Sequence, residues 1–493
     1  MNWPATLSRL VGKSADMRLH MTPHPARAAA SSPADTSASA NFAALALLSL
    51  ALALVPVQSS KSADWPRFRG PSGSGISDDA TVPLVWSDSK NLKWKTPLPG
   101  PGSSSPIVSG RRVFVTCYSG YGVNADSPGS PENLRRHLLC VNRSDGSILW
   151  SKSIEAVLPE DPYRGYIAGH GYASNTPVTD GERVYVFFGK TGVLAFDFEG
   201  NQLWQVSVGT ESSMKGWGSG ASPILCKDLL IVNAAEESES IRALDKMTGK
   251  EVWKAEAAGL ELTYGTPLVV DLDDGRKEIV IAVPWEAWGL DPDTGKLNWH
   301  AETNLDQNVA PSAVADDGIV YAFGGFSKGS IAIRAGGKGD VTQTHVLWSS
   351  RYGSYVPSPV IRHGNIYWVS EEGIAHCAEA KTGKLVYRER LARTGGGSLG
   401  GRPFYASAVL VDNRLYCVSR TGGTFVLAAK PQFEQLARNQ LDSNDGDFNG
   451  SPAISDGQVF LRSNRFLYCI QDDQAEGPAC TSLDMTMAPN SNP

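Results

Sequence analysis

The chain has 493 residues with 50 glycines and only 19% charged residues, a composition that suits a large β protein with many turns. Its formal net charge of −6 disfavours broad nucleic-acid binding, which needs a basic surface to neutralise phosphates. The 7 cysteines are dispersed and none forms a C-x-x-C pair, which disfavours zinc ribbons, thioredoxin-like sites and covalent haem attachment.

Residues 1–63 differ from the rest of the chain and are predicted to be a leader. An apolar run from Phe42 to Val57 is too short for a comfortable transmembrane helix and matches the core of a signal peptide. Small residues at positions 59, 60, 62 and 63 suit cleavage. We therefore expect export to the periplasm or cell envelope, with no transmembrane span once the leader is removed. An uncleaved anchor is the alternative.

Residues 64–90 are predicted to be an N-terminal extension, and residues 471–493 a disordered tail. Between them, a repeat fills residues 91–470, and the unit from Asn175 to Trp204 shows it most completely. The unit consists of Ser/Thr-Pro, Asp-Gly, an apolar strand, a glycine turn, a second strand, a Thr-Gly-Lys-type turn and a strand with Trp. Eight units follow one another, with their first marker residues at Ser105, Thr176, Ser222, Thr266, Pro311, Ser358, Ala406 and Ser451.

The repeat predicts an all-β fold, an eight-bladed β-propeller of four-stranded antiparallel blades. Asp-Gly and Thr-Gly-Lys supply the positive φ angles of tight hairpins, and one such sheet cannot bury both faces without neighbours. A Trp or Tyr late in each unit offers apolar surface for the seam between blades. Seven blades is the alternative, because the fifth and seventh units are degenerate.

The two ends of the repeat region are complementary. The last unit ends near Ile470 without a Trp strand, whereas an unassigned Trp strand from Asn91 to Leu98 precedes the first unit. We expect this N-terminal strand, which contains Trp94, to complete the last blade. Closing the ring in this way removes an exposed strand edge that would otherwise invite aggregation.

The residues just before each Ser/Thr-Pro are predicted to begin the innermost strands and to converge on one mouth of the central channel. Aromatic walls with a few polar groups are typical of ligand pockets. The candidate ligand-binding residues are His170, Tyr172, Trp217, Tyr264, Asn308, Tyr355, Arg402, Tyr405 and Asn449. The alternative is that these side chains only fill the channel. The chain carries no self-contained catalytic or metal signature, so no catalytic residue and no metal ligand is predicted.

These repeats resemble the pyrroloquinoline-quinone (PQQ)-like repeat β-propeller family. That family includes eight-bladed quinoprotein alcohol and glucose dehydrogenases and the non-enzymatic scaffold lipoprotein of the outer-membrane barrel-assembly machinery. The resemblance covers about residues 90–470. The segment from Asp64 to Gly75, followed by Asn91-Leu-Lys-Trp-Lys95, is similar to the start of exported propellers common in planctomycete-type bacteria.

The resemblance implies two functions of different kinds. In alcohol-type quinoproteins, adjacent cysteines form a disulfide over the quinone, and an Asp near a bound calcium acts as base. This sequence has no adjacent cysteines and no Asp that a motif places in that role. We therefore expect a non-catalytic binding or scaffold protein without a cofactor, which recognises an envelope protein, a peptide or a small molecule. The alternative is an alcohol or sugar dehydrogenase-like oxidoreductase that uses PQQ with calcium.

Overall fold

The computed structural model describes residues 64–391, 402–442 and 446–473. The predicted leader and residues 474–493 of the predicted tail lie outside the described residues. Eight small sheets, each built on four antiparallel strands, form the ring of a propeller. The prediction of an all-β, eight-bladed propeller is therefore confirmed, and the seven-bladed alternative is wrong.

Two strands precede the first complete blade. They are β1 (Ile76–Ser77) and β2 (Leu92–Pro97). The first four blades then follow in chain order, each written from its innermost to its outermost strand. Blade 1 has β3 (Ile107–Ser109), β4 (Arg112–Ser119), β5 (Arg135–Asn142) and β6 (Ile148–Glu155). Blade 2 has β7 (Val178–Thr179), β8 (Arg183–Phe187), β9 (Val193–Asp197) and β10 (Gln202–Val206). Blade 3 has β11 (Ile224–Cys226), β12 (Leu229–Ala234), β13 (Ser240–Asp245) and β14 (Glu251–Glu256). Blade 4 has β15 (Leu268–Asp271), β16 (Lys277–Val283), β17 (Glu286–Leu290) and β18 (Leu297–Glu302).

The other four blades repeat this plan. Blade 5 has β19 (Val314–Asp316), β20 (Ile319–Gly324), β21 (Gly329–Arg334) and β23 (Val346–Ser350), and β22 (Gly339–Asp340) adds a fifth strand to blade 4. Blade 6 has β24 (Val360–Arg362), β25 (Asn365–Val369), β26 (Ile374–Glu379) and β27 (Leu385–Arg390). Blade 7 has β28 (Val409–Val411), β29 (Arg414–Ser419), β30 (Gly423–Ala428) and β31 (Gln435–Asn439), and β1 adds a fifth strand to it. Blade 8 has β32 (Ala453–Ser455), β33 (Gln458–Arg462), β34 (Phe466–Gln471) and β2.

Helical segments within the described residues are single turns. The α-helical turns are α1 (Ile167–His170), α2 (Ala235–Ser238) and α3 (Thr342–His345), and the 3₁₀ turns are Pro131–Asn133, Gly189–Thr191 and Ala258–Leu260. No helix in these parts of the chain has the length and apolar character needed to cross a membrane.

Blade 8 joins the two ends of the propeller. Strand β2 pairs antiparallel with β34, and Trp94 lies opposite Cys469 in that pairing. The predicted closure by the strand around Trp94 is thus confirmed. Because the outermost strand of the last blade comes from the N-terminal side, the ring closes through backbone hydrogen bonds of a single sheet.

The hydrophobic core lies mainly between neighbouring blades, where an outer-strand tryptophan packs on the turn of the next blade. A Cβ at the turn glycine would lie within 2.9 Å of the indole, so only glycine permits this contact. The indole N–H also donates to a carbonyl of that next blade at 2.8–3.2 Å. The pairs are Trp94–Gly146, Trp150–Gly200, Trp204–Gly249, Trp253–Gly295 and Trp348–Gly383. These five tryptophans are therefore seam residues, as the sequence predicts.

The N-terminal extension crosses one end of the central channel. Trp65 exchanges two backbone hydrogen bonds with Val108 of blade 1, and the Pro66 carbonyl accepts from the backbone N–H of Thr179 in blade 2. On the far side, β1 pairs parallel with β28 of blade 7. We call residues 64–77 the plug, because they span the channel between these blades.

Two adjacent plug residues fix its position. The Phe68 side chain lies in the channel itself. The buried Arg69 guanidinium donates to the carbonyls of Ser358 and Pro359 in blade 6. The inner strands begin at the predicted mouth and end at the plug. The plug therefore leaves that mouth as the open end of the channel.

Candidate functional site

The central channel contains a cavity of about 190 Å³, which we call the cup. Phe68 of the plug forms its floor. Its wall carries aromatic side chains, two asparagines, one histidine and a ring of hydroxyl groups. The aromatic residues are Tyr166, Trp217, Tyr264, Tyr355 and Tyr405, and the other polar side chains are His170, Asn308 and Asn449. The cup is thus a small, mostly apolar site with a few polar groups, as ligand pockets are.

The structure brings most of the predicted site residues together. Seven of the nine line the cup: His170, Trp217, Tyr264, Asn308, Tyr355, Tyr405 and Asn449. Arg402 belongs to the same neighbourhood. Its guanidinium lies 4.8 Å from the ring centroid of Tyr355 and donates a hydrogen bond to the hydroxyl of Tyr166. Arg402 therefore supplies a positive charge next to the aromatic wall.

Tyr172 lies elsewhere, although it follows His170 by only two residues. Its ring packs 5.4 Å from Tyr118 and 5.6 Å from Tyr121, measured between centroids, and its hydroxyl donates to the Asp161 carbonyl at 2.7 Å. This side chain anchors the loops of blades 1 and 2. The glycine at position 171, with φ of 74°, turns the chain between the two residues.

The aromatic wall forms a continuous arc. The Tyr166 and Trp217 rings are 4.3 Å apart between centroids, and the Trp217 and Tyr264 rings are 5.7 Å apart and nearly stacked. Tyr355 extends the arc at 6.4 Å from Tyr166. Burial raises the pKa of Tyr264 far above its ordinary value, so the phenol is uncharged at neutral pH. This arc offers ring faces and edges to a flat or apolar ligand.

His170 positions the wall. Its Nε2 lies 2.8 Å from the Trp217 carbonyl oxygen and its Nδ1 lies 2.6 Å from the hydroxyl oxygen of Ser174. Burial lowers the pKa of His170, so the neutral ring is favoured. Nε2–H then donates to Trp217 and Nδ1 accepts from Ser174. Both ring nitrogens have protein partners, and this histidine orients Trp217.

A closed ring of eight hydrogen bonds links the blades around the cup. In each blade the backbone N–H of one Ser or Thr donates to the hydroxyl oxygen of the equivalent residue in the next blade, at 2.9–3.0 Å. We call these residues the hydroxyl ring: Ser105, Thr176, Ser222, Thr266, Ser312, Ser358, Ser407 and Ser451. All eight line the cup.

The Ser or Thr of the signature that marks each repeat forms the hydroxyl ring. The sequence predicts these residues only as strand markers, although the residue type, repeated in all eight units, is the signal for the ring. Two further aromatic residues of the cup are also absent from the sequence-based set. Tyr166 lies in the long segment between blades 1 and 2, and Phe68 lies in the N-terminal extension. Neither occupies a repeated position, so the pattern gives no reason to select them.

A second, smaller cavity of about 20 Å³ lies behind the cup wall. The side chains around it include two ion pairs, Arg136–Glu160 at 2.7 Å and Lys190–Asp161 at 3.3 Å. Glu236 and Glu237 also line this cavity. Both oxygens of Glu236 and Oε2 of Glu237 lack hydrogen-bond partners within the described residues. Burial raises the pKa of both carboxyls, to about 8 for Glu237.

The residues of the cup do not fit a calcium-bound quinone. Its lining contains no Asp or Glu, and calcium prefers several oxygen ligands that include carboxylates. Across residues 64–391, 402–442 and 446–473, no cluster of three or more His, Cys, Asp or Glu side chains is placed to hold a metal. The six cysteines in these ranges are buried and unpaired. Burial raises the pKa of Cys117 and Cys469 to about 12, so these thiols stay protonated.

Comparison with known proteins supports the fold. The structure of BamB from Moraxella catarrhalis matches with a TM-score of 0.53 at 14% identity, over 78% of this chain and 98% of that one. A europium-containing methanol dehydrogenase matches with a TM-score of 0.53 at 11% identity, over 81% of this chain and 89% of that one. At these identities the likeness shows the fold alone. No curated protein matches the chain significantly.

A family model described as outer membrane protein assembly factor BamB matches residues 134–389. This match covers slightly more than half of the 493 residues. It spans the repeats from the second half of blade 1 to blade 6. Together with the eight blades and their hydroxyl ring, it shows that the chain belongs to the family of PQQ-like repeat β-propellers.

Proposed function

We propose that this protein is an exported, non-catalytic propeller that acts as a binding or scaffold protein in the cell envelope. Its protein, peptide or small-molecule ligand enters the open end of the cup. The observation that carries the proposal is the cup itself, a channel closed by the plug at one end and walled by aromatic side chains at the other. The family likeness to an outer-membrane assembly factor supports a protein partner in the envelope.

Trp217 gives the sharpest test of this proposal. We expect Trp217→Ala to weaken capture of an envelope component by at least about tenfold, since a half-buried indole at the centre of a site typically dominates binding. The measurement is quantitative pull-down from envelope extracts with immobilised wild-type and variant protein. The matched control is Met247→Ala, which removes an exposed apolar side chain from a turn between β13 and β14. Equal capture by all three proteins would contradict a role for the cup.

We further propose that this function requires no quinone. A cavity of about 190 Å³ is small for the three fused rings of PQQ, and its lining lacks carboxylates for calcium. The test is to add PQQ with calcium to the purified protein, record the absorption spectrum, and assay dye-linked oxidation of alcohols and glucose. We expect neither a bound quinone nor turnover. A bound quinone with turnover would establish the oxidoreductase alternative.

A further inference from the structure

Two buried arginines next to the cup have no carboxylate partner within the described residues. Arg69 and Arg462 are each 1% exposed. Arg69 donates to the carbonyls of Gly73 at 3.2 Å, Ser74 at 2.8 Å and Ser358 at 3.3 Å, and to that of Pro359.

Arg462 is held in the same way. It donates to the carbonyls of Thr116 at 2.8 Å and Ser463 at 3.2 Å and to the hydroxyl of Ser104 at 3.2 Å. Its Nη2 has no hydrogen-bond partner in the described parts of the chain. Carbonyl oxygens thus solvate both cations in part, but none of these groups carries a full negative charge.

Uncompensated buried charge is costly, and proteins normally pair it. Burial lowers the pKa of Arg69 to about 9 and that of Arg462 to about 10, so both guanidiniums remain protonated at neutral pH. Two positive charges therefore lie next to the cup without lining it, Arg69 on the plug side and Arg462 on the mouth side, and the described residues do not balance them with an ion pair.

Both arginines adjoin the hydroxyl ring. Arg69 binds the carbonyl of ring residue Ser358, and Arg462 binds Ser104, which precedes ring residue Ser105. Each ring hydroxyl accepts one backbone N–H, and none of the eight donates to an acceptor within the described residues. A hydroxyl in this state has one O–H left to donate. The cup thus offers a set of donors beside two cations, with no Asp or Glu in its lining.

The carboxyls nearest to the wall do not supply the missing negative charge. Glu236 and Glu237 line the cavity behind Gly218 and Ser219. Burial raises the pKa of both carboxyls, to about 8 for Glu237, so Glu237 favours its neutral form at neutral pH. Neither carboxyl forms an ion pair with Arg69 or Arg462 within the described residues.

We propose that the cup binds an oxyanion at the hydroxyl ring, either a carboxylate that the ligand carries or a free inorganic anion. This inference rests on the proposed function, because it specifies the chemistry of the ligand that enters the cup. The size of the cavity limits the inserted group. A cavity of about 150 Å³ is known to hold benzene, so about 190 Å³ admits one six-membered ring with a carboxylate.

The test compares probes that share a ring and differ in charge. Benzoate, benzyl alcohol and benzylammonium are titrated by calorimetry into the purified protein at pH 7, in low-salt buffer free of chloride and phosphate. Inorganic phosphate is titrated in a separate arm. We expect benzoate to bind at least about tenfold more tightly than benzyl alcohol, because charge-assisted hydrogen bonds are about twice as strong as neutral ones. Benzylammonium is expected not to bind. Phosphate binding as tight as that of benzoate would support the anion site and assign it to a free inorganic ion.

A second test introduces a negative charge into the cup by substitution. Ala310 lines the cup and makes no side-chain hydrogen bond, so Ala310→Asp and Ala310→Asn add groups of equal size that differ only in charge. We expect the Asp variant to bind benzoate at least about tenfold more weakly than the Asn variant, since like charges at close range repel. Circular dichroism and thermal unfolding check that both variants fold. Arg69→Met provides a second measurement if neither Ala310 variant folds, and it too should lose the preference for benzoate.

The outcomes separate this inference from the proposed function. Benzyl alcohol that binds as tightly as benzoate, or equal benzoate affinity in the Asp and Asn variants, would overturn the anion site. Cup-dependent capture of an envelope component would then still stand. Equal capture by the wild type, Trp217→Ala and Met247→Ala would overturn the proposed function, whereas the preference among the four probes would still be measurable.

Discussion

Replacement of Trp299 by alanine is expected to destabilise the protein by about 3–5 kcal/mol, the usual cost of removing a buried large aromatic side chain. Trp299 is fully buried, and its indole lies flat against Gly289, where a Cβ would be 2.1 Å from Nε1. The indole N–H donates to Oε2 of Glu278 at 2.7 Å. Its loss therefore leaves a cavity inside blade 4 and a buried carboxylate oxygen with one donor fewer.

Two further variants separate these contributions, and all are compared by urea unfolding. Trp299→Phe keeps most of the ring but not the N–H donor, so we expect a loss clearly smaller than that for alanine. Trp285→Ala is the matched control, because Trp285 belongs to the same blade and its side chain is 57% exposed. We expect this control to change the free energy of unfolding by less than about 1 kcal/mol. If Trp285→Ala destabilised the protein as much as Trp299→Ala, burial of the indole would not explain the effect of Trp299→Ala.

The fold was open to prediction because its information is local and repeated eight times. Each Asp-Gly or Thr-Gly-Lys turn sets a hairpin, and five of the late tryptophans need a glycine turn in the next blade, as Trp253 and Gly295 show. The closure by the strand around Trp94 could be predicted by counting strands. The last unit lacks a Trp strand, and one unassigned Trp strand precedes the first unit. Degenerate units five and seven still form blades, because stacking between two regular neighbours compensates for weak local signals.

The site was predictable only as far as the repeat extends. Seven residues just before the innermost strands converge on the cup because the starts of these strands lie at one distance from the axis. Tyr172 departs because Gly171 redirects the chain just before the strand. Phe68 and Arg69 are placed by contacts of the plug with blades 1, 2, 6 and 7, which are distant in sequence and which no local pattern encodes. The uncompensated charge of Arg69 is likewise visible only once its surroundings are known.

Glu237 should make the protein less stable as the pH rises from about 4.5 to 8. Its carboxyl is 2% exposed, and burial, followed by the neighbouring Glu236, raises its pKa from 4.5 to about 8. Below the unfolded-state pKa, both states are protonated and the folded state bears no penalty. As the pH rises, the unfolded chain releases the proton first, so stability falls until the folded carboxyl also ionises near pH 8. One pKa unit corresponds to about 1.4 kcal/mol, so the full effect is on the order of 5 kcal/mol.

Glu237→Gln removes this titration and keeps the size of the side chain. We expect the variant to be more stable than the wild type at pH 9 by several kcal/mol and to differ little from it at pH 5. Urea unfolding at both values measures the difference. Glu211→Gln is the control, because Glu211 lines the same cavity with an exposed side chain and its exchange should change stability little at either pH. A gain for Glu237→Gln that is equal at pH 5 and pH 9 would indicate relief of packing or hydrogen-bond strain, since only ionisation of the buried carboxyl ties the gain to high pH.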